Sequence, residues 1–181
     1  MQRLKNQRVY LAGPMDRCPN EGRAWRESIS SFLDSLDIVI LNPLNKPTDT
    51  AKEDSESRAY RRLLKSQENY EQLVREMKPI RSVDLRMVDI SDFLIANLDL
   101  DIHPCGTLEE IFLANRQKKP VILHMKQGKK NTPDWLFGTL PHQMIFSTWQ
   151  EVKNYLLYIN DSENINTLNR WHFFQYDRQN S

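Results

Sequence analysis

Residues 93–125, FLIANLDLDIHPCGTLEEIFLANRQKKPVILHM, decide the fold. The stretch opens on FLIANLDL, a run apolar enough on both faces to be a buried strand. DLDIHPCGT breaks it with a proline and a glycine. In TLEEIFLANRQ, Leu108, Ile111 and Phe112 then fall on one side of a helix, and KPVILHM is a second buried strand. The same alternation continues outward in both directions. Upstream, RVYLAGPM gives a short β-prone run closed by Gly13-Pro14. Trp25, Ile29, Phe32, Leu33 and Leu36 then mark an amphipathic helix, and DIVILNPL reads as another buried strand. Downstream, QMIFS reads as a fifth strand and TWQEVKNYLLYI as a last helix.

Strands that are apolar on both faces and alternate with helices indicate a parallel sheet covered on both sides. The expected class is α/β: a doubly wound, flavodoxin/Rossmann-like, five-stranded parallel sheet with helices on both faces. In such open sheets ligands sit beyond the carboxyl ends of the strands, at a switch point. That rule selects AGPM after the first strand, DLDIHPCGT after the third and HMKQGKK after the fourth.

Between the second and third strands lies a polar, charged segment. NKPTDTAKEDSES reads as an exposed loop, and the next stretch as a solvated helix with a thin stripe of Leu63, Leu64, Tyr70, Leu73 and Met77. Pro79 is expected to end or kink that helix, leaving SVDLRMVDISD as a shorter one. The organisation expected is therefore a single catalytic α/β domain over residues 1–160, with a charged helical insertion at about 46–82 and a tail over 161–181.

Composition bounds the function. The 181 residues are 39% hydrophobic and 27% charged, a globular composition, and the formal net charge of +1 supplies no field for nucleic acid or an acidic membrane. Cys18 and Cys105 have no metal-ligand spacing. A reducing, cytoplasmic setting is expected, with neither a signal peptide nor a membrane span.

The acids are where chemistry is expected. Thr107-x-x-Glu110 has the form of a capping box, in which the two side chains satisfy each other's backbone N–H groups. A carboxylate in a first helical turn also feels the positive end of the helix dipole, which favours the ionised form and a nucleophilic role. Asp84, Asp89 and Asp92 precede the third strand as a solvated helix face or as further acids of a site, and Tyr10 on the first strand suits a buried, hydrogen-bonded phenol.

Taken together, VYLAGPM, DLRMVDISDFLIANLD and CGTLEEIFLANRQKKPVI resemble the nucleoside 2-deoxyribosyltransferase family, in order and over roughly residues 8–158. The resemblance implies cleavage of the N-glycosidic bond of 2′-deoxyribonucleosides or their 5′-monophosphates. It makes Glu110, not Glu109, the nucleophile, Tyr10 the residue that holds its carboxylate, and Asp84 the group that holds or protonates the leaving base. Asp84 and Asp92, eight residues apart, match a pair of family aspartates. Substrate-binding positions are expected at Gly13, Pro14, Met15, Asp92, Asn97, Asp99, His103, Gly106 and Thr107. The partners implied are a nucleoside or nucleotide and a nucleobase acceptor or water, with no cofactor or metal.

One position departs from the pattern. Where the family's transferases carry an aspartate for the sugar 5′-hydroxyl, six residues before the nucleophile, this chain has Pro104. The related nucleoside 5′-monophosphate N-hydrolases lack that aspartate, so a phosphate preference is expected. His103 is a phosphate contact or a solvated loop histidine, and Asp99 and Asp101 stand near enough in sequence to substitute for the aspartate. Arg58, Arg61, Arg62 and Lys65 are a candidate basic patch. The aromatic tail, with Trp171, Phe173, Phe174 and Tyr176, is expected to be exposed and to seek burial in a homo-oligomer. Two other readings stand beside this one: a non-catalytic nucleotide-binding module, and a generic protein of the fold in which Thr107 and Glu110 only cap.

Overall fold

The computed structural model describes residues 2–15, 18–48, 51 and 53–175, apart from the side chains of residues 19, 21 and 175. Five strands form one all-parallel sheet: β1 (Arg8–Ala12), β2 (Val39–Leu41), β3 (Phe93–Leu98), β4 (Val121–Met125) and β5 (Ile145–Phe146). Their order is β2-β1-β3-β4-β5. This is the flavodoxin-like doubly wound order, in which the winding reverses between β1 and β3. Tyr10 pairs with Leu94 across that switch point, and Ala12 with Ala96.

Residue alternation sorts the core into two layers, because successive strand side chains point to opposite faces. Val9, Leu11, Phe93, Ile95 and Ile122 face α1 (Arg23–Asp34) and α6 (Trp149–Asp161), where Ile29, Leu33, Val152, Leu156 and Ile159 meet them. Tyr10, Ala12, Leu94, Ala96, Leu98 and Leu123 face the other way. They pack on Met87 and Val88 of α3 (Tyr70–Ile90) and on Ile111 and Ala114 of α4 (Cys105–Arg116). A short α5 (Asp134–Phe137) adds Leu136 to this second layer.

Four local expectations are corrected. Pro79 neither ends nor splits a helix: α3 runs for 21 residues through it, and the stretch expected as a separate helix from residue 82 is its last part, up to Ile90. The proline ring forfeits one backbone hydrogen bond. Ile80, Met87 and Val88, buried along the same helix, supply the packing that carries the helix past it. β2 is not buried on both faces but is an edge strand, with Val39 46% exposed.

The capping box expected at Thr107-x-x-Glu110 does not form. α4 begins two residues before Thr107, its N-cap is Pro104, and no side chain caps it. Thr107 and Glu110 therefore both lie within the helix and are buried. A capping box does occur at the start of α6, where Thr148 and Glu151 bond reciprocally.

The tail is the fourth correction. Trp171 is fully buried and Phe174 nearly so, both in the core layer under α1 and α6. The Trp171 ring lies 5.4 Å from Phe93 and 5.6 Å from Phe174, and its Nε1–H donates to Tyr155 Oη at 2.9 Å. These rings are satisfied within their own chain, so the exposed aromatic surface that motivated an oligomer is not there; Tyr176 lies outside the described residues. Among the described residues no helix is long and apolar enough to cross a membrane.

Candidate active site

The turn after β1, the end of the loop that follows β3 and the start of α4 line a cavity of about 450 Å³, with α3 as its opposite wall. Gly13, Pro14 and Met15 form its wall after β1. His103, Pro104, Cys105, Gly106, Thr107 and Glu110 form the wall around the start of α4, and Asp84 faces it from α3. The tight turn after β1 needs a glycine: a Cβ on Gly13 would sit 2.7 Å from the Trp25 ring and 3.3 Å from the Asn97 carbonyl oxygen. Gly106 has no such crowding, since nothing lies within 4 Å of where its Cβ would be.

Glu110 stands on the sixth residue of α4, past the first turn. Tyr10 donates its phenolic hydrogen to Glu110 Oε1 at 2.7 Å, and the tyrosine is fully buried. Burial dominates the Glu110 carboxyl and pushes its pKa up to about 8; the Tyr10 hydrogen bond pulls it down, and the nearby Asp84 pushes it further up. The expected ionisation by the helix dipole is thus overridden. A dipole is worth ~0.3–1 kcal/mol, less than one unit of pKa at about 1.4 kcal/mol per unit. Burial and the negative Glu110 likewise raise the Tyr10 phenol well above its usual value.

Asp84 is raised to about 6, chiefly by burial, with Lys46 pulling down and Glu53 pushing up. Lys46 Nζ lies between two acids. It donates to Glu53 Oε2 at 2.5 Å and to Asp84 Oδ2 at 3.0 Å. Asp84 Oδ1, 2.9 Å away, is off the direction of a hydrogen bond and has no hydrogen-bond partner among the described residues. Behind the site, Arg26 is fully buried. It donates to the carbonyls of Leu11, Gly13 and Gly22, and its guanidinium covers the Trp25 ring at 4.6 Å. Burial lowers its pKa from the usual arginine value. At the rim, Arg81 and Glu109 form a two-pronged ion pair. Glu109 therefore has its own partner, away from Tyr10.

Gly13, Pro14, Met15, His103, Gly106 and Thr107 thus line one cavity with Tyr10's partner Glu110 and with Asp84. Three other expected positions do not. Asp92 sits at the amino end of β3, accepting from the backbone N–H of Arg8 at 2.7 Å and from its guanidinium. Asn97 points to the opposite face of the sheet, where its Oδ1 meets His124 Nδ1 at 2.7 Å. Asp99 is held by Lys126 Nζ at 2.6 Å and Gln127 Nε2 at 2.7 Å, which lowers its pKa against the opposing effect of burial. Asp101 accepts from the same Gln127 amide at 3.1 Å.

Of the candidate basic patch, Arg61 is buried and Arg58 donates to the Met15 carbonyl at 3.3 Å. Sequence reasoning missed Lys46, Glu53, Arg81 and Arg26.

A closed, tyrosine-bound carboxyl at the switch point of a 2-1-3-4-5 sheet is a particular arrangement, and it can be compared with known structures. The fold is shared with a 2-deoxyribosyltransferase. That enzyme, from the psychrotolerant bacterium Bacillus psychrosaccharolyticus, is similar over 82% of this chain and 91% of its own, with a TM-score of 0.56 and 18% identity. The CMP N-glycosidase BcmB of Clostridium botulinum is similar over 83% of this chain and 97% of its own, at a TM-score of 0.47 and 18% identity. A conserved protein of Enterococcus faecalis V583 follows at 0.43 and 17%, over 86% and 88%. No protein-family model and no curated protein matches the chain. At such identities the likeness establishes the architecture, and the chemistry has to be argued from the side chains.

Proposed function

We propose that this chain cleaves the N-glycosidic bond of 2′-deoxyribonucleosides or their 5′-monophosphates through a covalent deoxyribosyl ester of Glu110, and passes the sugar to another base or to water. The observation that carries this reading is the Tyr10–Glu110 hydrogen bond of 2.7 Å inside a cavity that Asp84 also faces. A buried carboxyl with a raised pKa is costly to maintain, and such groups gather where chemistry is done.

In this mechanism a Glu110 oxygen attacks C1′ as the C1′–N bond breaks, and the electron pair leaves with the base. Asp84 delivers a proton to the departing base and becomes a carboxylate, a role worth ~10²–10⁴-fold. The transition state is oxocarbenium-like, and the anionic Glu110 beside it is stabilised by the Tyr10 hydroxyl. Attack of a second base or of water on C1′ then frees Glu110 with net retention, as in a retaining glycosidase. With both carboxyls raised, to about 8 and about 6, the pair holds at least one proton at neutral pH. Reaction requires that proton on Asp84 and the charge on Glu110.

A phosphate at C5′ is the second reading within the same chemistry. Pro104 stands in the cavity wall and brings no carboxylate there, with His103 beside it. The test is incubation with deoxynucleosides and their 5′-monophosphates, with and without an acceptor base, followed by chromatography. Free base released, or a new nucleoside formed, is the expected result. A deoxynucleoside turned over faster than its monophosphate would refute the phosphate preference, and no cleavage of any member would refute the function.

A further inference from the structure

The Lys46 ammonium is enclosed, with 3% of its side chain exposed, and its two partners Glu53 and Asp84 both face the cavity. Nothing in the mechanism above uses Lys46 or Glu53. We propose that Lys46 and Glu53 are positioning residues for the proton on Asp84: the ammonium fixes the carboxyl at the cavity wall, and the second carboxylate shares that ammonium so that Asp84 is not locked as an anion. The inference rests on the glycosyl-transfer reading for its use, and on geometry alone for the triad.

The geometry is unequal between the two acids. Lys46 donates to Glu53 at 2.5 Å and to Asp84 Oδ2 at 3.0 Å, while Asp84 Oδ1, 2.9 Å from the same Nζ, receives no hydrogen bond. The ammonium thus orients the Asp84 carboxyl by one hydrogen bond and one ionic contact, and divides its charge with Glu53, which leaves that carboxyl able to carry a proton. Had Lys46 faced Asp84 alone, a full opposite charge at this distance would favour the anion and leave nothing to donate. Had Glu53 faced Asp84 without Lys46, two buried acids would repel and neither would be oriented. Among the described residues, the other charged or titratable groups near Asp84 are Arg26 from α1, Glu110 from α4 and Tyr10 from β1, with His103 and Cys105 lining the same cavity. Arg26 favours the Asp84 anion and Glu110 the neutral acid, and Tyr10 already donates to Glu110. The rim pair Arg81–Glu109 is internally balanced. Lys46 and Glu53 are therefore the pair whose charges bear oppositely on Asp84.

The step served is the one already balanced: Asp84 gives its proton to the departing base and is left as a carboxylate, which Lys46 then neutralises. The two charges predict opposite signatures, which a merely structural role would not. Removing the cation in Lys46→Met raises the pH at which Asp84 loses its proton. Removing the second anion in Glu53→Gln lowers it, and Lys46→Arg leaves it near wild type. The experiment is a pH titration of the Asp84 side-chain carboxyl by carbon-13 NMR in the intact protein, with the pH profile of kcat/KM on the best substrate of the panel. The expected result is a titration moved up in Lys46→Met and down in Glu53→Gln, with the acid limb of the activity profile, which the lower of the two carboxyl pKa values sets, following each. Shifts of the same sign, or titrations unmoved in folded Lys46→Met and Glu53→Gln proteins, overturn the proposal. The NMR titration is read without substrate. A protein with no glycosidic activity but opposed shifts refutes the function and keeps the triad, and the converse refutes only the triad.

Discussion

The two faces of the sheet bury polar groups in different ways. On the face under α1 and α6, Asn97 and His124 meet at 2.7 Å, and the His124 ring stacks on Trp149 at 4.3 Å, which stacks in turn on Trp25 at 5.3 Å. Burial lowers the His124 pKa and keeps the imidazole neutral. This face also buries the Arg26 guanidinium of α1, which donates to the carbonyls of Leu11, Gly13 and Gly22, and among the described residues it leaves Trp25 Nε1 and, beside Phe174, Arg3 Nε without hydrogen-bond partners. On the face under α3 and α4 the chain hides Glu110, Asp84, Glu53 and Lys46, with one Asp84 oxygen unbonded. What sets this face apart is three acids gathered at one cavity, two of them sharing one ammonium, because an incompletely paired buried charge is among the costlier things a core can hold. The asymmetry marks where stability has been given up for reactivity.

The largest effect should come from breaking the reactive face at its centre. Glu110→Ala is expected to lower kcat by at least ~10³-fold, as loss of a covalent nucleophile does. It should also leave the protein folded, since it removes a buried acid. Glu109→Ala breaks only the exposed pair with Arg81, worth ~0–1 kcal/mol, and should keep activity within about tenfold. A 2-fluoro-2-deoxy substrate analogue should label the peptide containing Glu110. Wild-type turnover by Glu110→Ala, or a label on Glu109, would end the mechanism.

Next comes the quiet face. Trp171 is fully buried against Phe93, Tyr155 and Phe174. Trp171→Ala should cost ~3–5 kcal/mol in unfolding free energy with little change in the kcat of the folded fraction. If denaturant melts showed under ~1 kcal/mol lost, the tail would not be packed into the core.

Much of this contrast was legible beforehand. Period-two alternation put Tyr10 on a buried strand, and the switch-point rule picked out both Gly13–Met15 and His103–Thr107. The same alternation, applied one residue further, separates Asn97 from Ala96 and assigns it to the far face, so that error was avoidable. Asp92 was misplaced because spacing along the chain does not say which end of a strand an acid occupies; Arg8 claims it at the amino end. Lys46 and Glu53 were not legible. They lie in a segment whose composition reads as loop, and the contact from Lys46 to Asp84 spans 38 residues. Pro79 misled because a local breaker is weaker than the packing of a long helix.

The pH dependence of stability sharpens the comparison further. Glu110 moves from an ordinary 4.5 to about 8 in the folded protein, so between those values the folded chain keeps a proton that the unfolded chain has lost. Its contribution to stability is fully present below the unfolded value and is lost as pH rises through the folded one. The slope is about 1.4 kcal/mol per pH unit. Asp84, raised from 3.8 to about 6, adds in the same sense at lower pH. His124, with its pKa lowered, acts oppositely below its usual value, so the test is a difference. Urea melts between pH 5 and 8 should show wild type losing stability relative to Glu110→Gln as pH rises. A constant difference across that range would mean Glu110 is ionised throughout.

The smallest effect, and the sharpest, concerns Asn97. Its carbonyl belongs to the reactive edge, near Gly13, while its side chain belongs to the quiet face. Asn97→Ala should therefore cost the His124 hydrogen bond, about 1 kcal/mol, and leave KM for a nucleoside or nucleotide within about threefold. Asn97→Asp separates the two faces without removing the acceptor. A carboxylate at 2.7 Å from Nδ1 favours the imidazolium, so the His124 titration followed by proton NMR should move up, while the limbs of the activity profile set by Asp84 and Glu110 stay where they were. The sheet lies between the two groups, and the site's own charges are the nearer influence on its acids. A tenfold rise in KM for Asn97→Ala would instead place that side chain on the substrate, and the division of labour between the faces would fail at the strand where it is most finely drawn.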